Sequence, residues 1–201
     1  MGITIHYRGR LDDKAALPSL MDEMKDMAES MDWQHDLFDD DWSQAPDASF
    51  SADKPGTIEG NLGLKGIMLT PQPDSEALVL LFERDGNLCS PINMIQILEG
   101  ALSPDSAWIH MKTQFAAPDL HIWLVGLLKY LKRNYISNLE VSDESGYWET
   151  GDRAELERKM AFIDGKIKSI SSQLASPETS DWSNLSPEEI ADRIEQMLRA
   201  R

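Results

Sequence analysis

Hydrophobic and polar residues alternate strictly at the start of the chain, Ile3, Ile5 and Tyr7 against Thr4, His6 and Arg8, until Gly9 breaks the run. A period of two sends the two sets to opposite faces, so the pattern predicts a half-buried strand. From Leu17 the step lengthens to three or four residues, through Leu20, Met21, Met24, Met27 and Met31, with Asp22, Glu23, Lys25, Asp26 and Glu29 filling the other side. This predicts an amphipathic helix whose methionine-rich stripe packs on a sheet. Over 32–54 the periodicity dissolves into aspartates, Pro46 and scattered aromatics, Trp33, Phe38, Trp42 and Phe50. The segment reads as a long acidic-aromatic loop, pinned by its aromatic side chains.

Two short apolar runs, 62–69 and 77–82, flank the turn-prone 71–75 and predict a hairpin. Asp85-Gly86 is a turn dipeptide, and 92–98 fits a strand or a short helix. Alternation returns at 108–115, with Ile109, Met111, Thr113 and Phe115 on one side and Trp108, His110, Lys112 and Gln114 on the other. Pro118 and Asp119 then open a helix with a broad stripe of Leu120, Leu124, Leu127, Leu128, Leu131 and Tyr135, the expected central core helix. Segments 139–142 and 147–150 flank the turn 143–146 and predict a second hairpin.

A further helix is expected from Asp152, which can cap it, with Glu155 three residues on. Its stripe of Leu156, Met160, Ile163, Ile167, Ile170 and Leu174 is heptad-like, although Gly165 interrupts it. Such a stripe covers a sheet or forms the seam of a homodimer through 156–174. Finally, Ser186-Pro187-Glu188-Glu189 is a capping box before a short helix carrying Ile190, Ile194, Met197 and Leu198. The expected architecture is α+β: one domain over 1–175, a mostly antiparallel sheet packed by amphipathic helices, then a linker at 176–185 and a C-terminal amphipathic helix at 186–201.

Charge changes the picture more than hydrophobicity does. The 201 residues carry a formal net charge of −16, so phosphate backbones and anionic lipid surfaces repel the chain. Direct nucleic-acid binding and membrane association are not expected; a basic protein partner is. The apolar run 120–128 contains His121 and is far shorter than the roughly 20 residues that cross a bilayer. A single cysteine, Cys89, allows neither an intramolecular disulfide nor a multi-cysteine zinc site. With no signal-like start, this predicts a cytoplasmic protein.

No phosphate loop, nucleophile elbow or metalloprotease motif is written in the chain. Three clusters have suitable residue types. Asp36, Phe38, Asp39, Asp40, Asp41 and Trp42 combine steering charge with aromatic area, the chemistry that captures a basic protein surface. His110, Lys112 and Gln114, with His121 in the following helix, outline a polar pocket. His110, His121, Asp143 and Glu149 could hold one divalent metal that activates water. The leading expectation is a non-enzymatic interaction module that needs no cofactor; the alternative is a small metal-dependent hydrolase-type enzyme.

Overall fold

The computed structural model describes residues 3–72 and 75–174, together with Ser186 and Glu189. The chain divides into two compact units, Met1–Met160 and Ala161–Arg201.

The first unit is α+β, with helices packed on antiparallel sheets. Strand β1 (Thr4–Arg8) is the centre of a three-stranded sheet between β7 (Ile109–Lys112) and β8 (Glu140–Asp143), in the order β7-β1-β8. The register sets Ile5 opposite Met111 and Asp143, and His6 opposite His110 and Ser142. Period-two alternation therefore buries Ile5, Tyr7, Ile109 and Met111 together and leaves His6, Arg8, His110 and Lys112 on the other face.

A second sheet runs β2-β5-β6, formed by Gln34–Asp39, Lys65–Thr70 and Leu78–Phe82. Every residue of β6 is buried. The expected hairpin joins β5 to β6, but β2 lies inside the segment read as a loop. Its entry is built by the end of helix α1 (Leu17–Ser30). Asp32 adopts a left-handed φ of 55°, and the Trp33 N–H returns to Ala28 O at 2.9 Å, which stops the helix and turns the chain into the strand. Two further short strands, β3 (Ser49–Phe50) and β4 (Ile58–Glu59), pair with each other.

Tyr7 stitches the two sheets. Its hydroxyl donates to Val79 O at 2.9 Å and accepts from Val79 N at 3.0 Å, satisfying both backbone groups of a β6 residue at full burial. Burial pushes the phenol's pKa well above its ordinary range, offset in part by the bond to Val79. Beside it, the Leu88 N–H donates to Gly9 O and the Cys89 N–H to Leu81 O. Cys89 is an inert core thiol, pushed up to about 12 first by burial and then by Glu83.

Segment 92–98 resolves as helix α2 (Pro91–Leu98), because Ser90 caps it by accepting from Asn93 N and Pro91 takes the first turn. Helices α1 and α3 (Pro118–Asn134) bury the expected stripes, Leu17, Leu20 and Met24 in one and Leu120, Leu124, Leu127, Leu128 and Leu131 in the other. They are tied by Glu23, whose carboxylate accepts from Tyr135 and Tyr130, both at 2.7 Å.

Two local expectations are corrected. The strand β7 ends at Lys112, and the turn closed by Ala116 N to Thr113 O leaves Phe115 70% exposed, away from the buried Ile109 and Met111 whose face the alternation predicts it to share. The second hairpin does not form: β8 pairs with β1, and 147–150 is a short helix, α4 (Tyr147–Thr150), entered through the left-handed Gly146.

Helix α5 (Arg153–Leu174) begins with the expected cap, Glu155 N donating to Asp152 Oδ1 at 3.0 Å, and runs through Gly165 without a break. In the first unit its Leu156 and Met160 are buried. In the second, Ile163 and Ile167 are half-buried, and the side chains of Ile170 and Leu174 lie outside the described residues. The capping box at Ser186 and Glu189 is formed reciprocally. The rest of the expected linker and C-terminal helix lies outside the described residues.

Candidate functional site

The acidic-aromatic segment is an edge strand followed by a tight turn. Asp40 is spent on local structure: its N–H donates to Leu64 O and its Oδ2 accepts from Leu64 N, both at 3.1 Å. Asp41 accepts from Ser43 N at 2.8 Å and Gln44 Nε2 at 3.0 Å, an Asx turn that holds its carboxyl below the usual range, the Ser43 bonds first and Gln44 after them. Asp39 is exposed and pairs with Lys65, which also sits 5.6 Å over the Trp42 ring. Asp36 is exposed and has no ion-pair partner among the described residues.

The aromatic members divide their roles. Phe38 and Trp42 are half-buried against the core, and the Trp42 indole donates to Gly63 O at 2.9 Å, so both rings are fixed. Beside Trp42 opens a cavity of about 250 Å³ walled by Pro46, Met94, Ile97, Leu98 and Pro104, with Glu83, Arg84 and Asp85 also lining it. The segment thus exposes carboxylates along β2 and, through Trp42, forms one wall of a concave, largely apolar site.

His121 is the centre of a buried polar network. The ring is fully buried on α3; its Nδ1 meets Thr113 Oγ1 at 2.8 Å and its Nε2 meets Asp143 Oδ2 at 3.1 Å. Ser145 Oγ lies 3.1 Å from the same Nε2 and donates to the same Asp143 Oδ2 at 2.8 Å. Asp143 also accepts from Ser145 N at 2.8 Å and Trp148 N at 3.0 Å. Burial alone would raise the Asp143 carboxyl, but His121 and the Ser145 bonds outweigh it and bring it down to about 2. Lys159 closes the cluster with a 2.6 Å bond to Ser145 O.

Serine, histidine and aspartate in contact invite comparison with a nucleophilic triad. In that machinery the carboxylate orients one ring nitrogen while the other takes the nucleophile's proton. Here serine and aspartate share Nε2, threonine occupies Nδ1, and Ser145 is only 2% exposed. The arrangement locks α3, β8 and the turn into α4 together; it is not wired to activate Ser145.

The pocket expected from His110, Lys112, Gln114 and His121 is not assembled. His110 and Lys112 lie on the solvated face of the sheet, whereas His121 is sealed in the core. The solvated face is held by its own pairs: His6 faces the His110 ring at 6.3 Å and lies 3.8 Å from Glu144, and Arg8 bridges Glu140 and the Asp105 carbonyl over Trp108. The expected metal set also separates. His121 and Asp143 meet, but His110 is exposed on β7 and Glu149 on α4, and no group of three metal-ligating residues gathers among the described residues. Residues that sequence reasoning missed are Thr113, Ser145, Leu37 and Tyr7. Only Ser145 carried a local signal, as the third residue of the turn-forming Asp143-Glu144-Ser145-Gly146.

No protein-family model, no curated protein and no solved structure matches this chain. Among the described residues no helix is long and apolar enough to cross a membrane.

Proposed function

We propose that this protein is a non-enzymatic interaction module that docks a basic protein surface on its Asp36–Trp42 face. The observation that carries this reading is the cavity beside Trp42, a largely apolar anchor site at the end of a segment whose strand exposes Asp36 and Asp39. Association of this kind divides the labour: the anchor side chain fills the cavity and supplies affinity, while the charges steer encounter and select sign. The net charge of −16 extends the steering field beyond the contact itself.

The test uses fluorescence anisotropy with short labelled peptides in which lysine alternates with valine or leucine. Asp36→Asn with Asp39→Asn removes the unpaired Asp36 carboxylate and the Asp39 carboxylate that faces Lys65, and leaves Asp40 and Asp41, which hold the turn, in place. We expect the double variant to weaken binding at least about tenfold, and added salt to weaken the wild type as screening shortens electrostatic reach to roughly 8 Å. Equal binding by wild type and variant, or no binding, overturns the reading.

A further inference from the structure

Strand β2 is the outer strand of its sheet, and bonds on both sides of β5 show which of its backbone groups face outward. On one side, Asp40 N–H donates to Leu64 O, continuing the β2–β5 register. On the other, Tyr7 takes both backbone groups of Val79, and Leu81 O accepts from Cys89, so Val79 and Leu81 face away from β5. Antiparallel ladders alternate, so β5 spends Lys65, Ile67 and Leu69 on β6, and Gly66, Met68 and Thr70 on β2. Their β2 partners, Phe38, Asp36 and Gln34, are thereby consumed. His35, Leu37 and Asp39 direct N–H and C=O off the edge, and among the described residues no hydrogen bond reaches those groups.

Proteins ordinarily blunt such an edge with proline, a bulge, very short length, a covering segment or charged side chains. Of these devices, among the described residues, β2 carries only the charges of Asp36 and Asp39, which repel like-charged strands and not basic ones. Strand β2 has six residues, contains no proline and pairs with β5 without a bulge; Leu37, at the middle of its outward set, is 51% exposed. We propose that this edge accepts an extended basic segment of the partner protein as an added strand, with backbone bonds to His35, Leu37 and Asp39 and an apolar residue over Leu37. The inference rests on the basic-partner reading above and specifies its mode. Charge selects the occupant: Asp36, without an ion-pair partner among the described residues, lies on one face of the strand, and Asp39, paired with Lys65, on the other, so lysine or arginine on the Asp36 face of an added strand meets an unengaged carboxylate. A second copy of this chain would instead bring its own Asp36 and Asp39–Asp41 to the same edge.

Backbone N-methylation of the peptide tests this without altering the protein. The alternating lysine peptide is prepared with N-methyl groups at its odd positions or at its even positions, and each form is titrated against the full chain. An added strand turns every second N–H toward β2, so one form is expected to lose at least about tenfold in affinity while the other matches the parent. Equal effects of the two forms, with charge and salt dependence retained, overturn strand addition and leave the binding reading standing. Absence of binding by the parent peptide removes both. Sedimentation showing a dimer that Leu37→Pro converts to monomer also overturns the proposal, because the edge is then occupied by a second copy.

Discussion

Replacing Asp143 with asparagine tests the buried network most severely. The carboxylate has no donor and receives four bonds: Oδ2 from His121, Ser145 Oγ and Trp148 N, and Oδ1 from Ser145 N. An amide cannot serve both sites. With its oxygen at the Oδ2 position its NH2 confronts the Ser145 N–H, and with the reverse orientation it confronts three donors. One buried donor left unpaired costs about 1–3 kcal/mol, and weakening three charge-assisted bonds to neutral ones adds to it, for a total of about 3–5 kcal/mol at pH 7.

The same variant has a pH signature of defined sign. The Asp143 carboxyl is held at about 2 in the folded protein against an ordinary 3.8, so folding is favoured above the ordinary value by about 2 kcal/mol, a contribution lost as pH falls through 2. Asparagine does not titrate and lacks this dependence. Urea denaturation followed by tryptophan fluorescence at pH 7 and at stepwise lower pH gives both quantities. A variant within about 1 kcal/mol of wild type at pH 7, or one with the same acid dependence as wild type, refutes the reasoning.

Other expectations follow from single sites. Tyr7→Phe leaves the buried Val79 N–H and C=O without their partner and is expected to destabilise by about 1–3 kcal/mol in the same assay, with no new cavity to explain the loss. Gly66→Ala forces a side chain onto a backbone at φ +140°, where its Cβ would meet Leu80 O at 2.1 Å; a loss of more than about 1 kcal/mol is expected in thermal or urea melts. Asp36→Asn with Asp39→Asn, by contrast, is expected to leave urea stability within about 0.5 kcal/mol while weakening peptide binding, since an exposed ion pair contributes little to folding.

Elements whose periodicity is set by one long buried face were legible in the sequence. Ile3, Ile5 and Tyr7 marked β1, and the stripes at Leu17–Met24 and Leu120–Leu131 marked α1 and α3, because burying a face demands the matching repeat. Cap chemistry was legible for the same local reason: Asp152 and Ser186 both form the bonds their spacing implies. Strand β2 was not legible, because an edge strand buries little. Its Leu37 and Phe38 are adjacent rather than alternating, and its aspartates mimic a loop. The stretch after Asp143 was misread because its partner is β1, far away in sequence, and because the Asp143 carboxylate bonds Ser145 N and Trp148 N to coil the chain into α4. The His121 network required Thr113, His121, Asp143 and Ser145 from separate elements to converge, and no local pattern encodes that. Of the candidate site, the charges were visible at once, but which aspartates are left unengaged depended on the bonds that hold Asp40 and Asp41 and on the Asp39 pair with Lys65.

The central claim is that 34–42 is a binding surface for basic chain segments, and amide chemical-shift mapping addresses it most directly. Isotope-labelled full-length protein is titrated with the alternating lysine peptide at low salt. The account predicts that the largest shifts fall on His35, Leu37 and Asp39 and extend to Trp42 and the residues lining its cavity, fading as salt is raised. Shifts centred on the His6 and His110 face, or none across 34–42, contradict it.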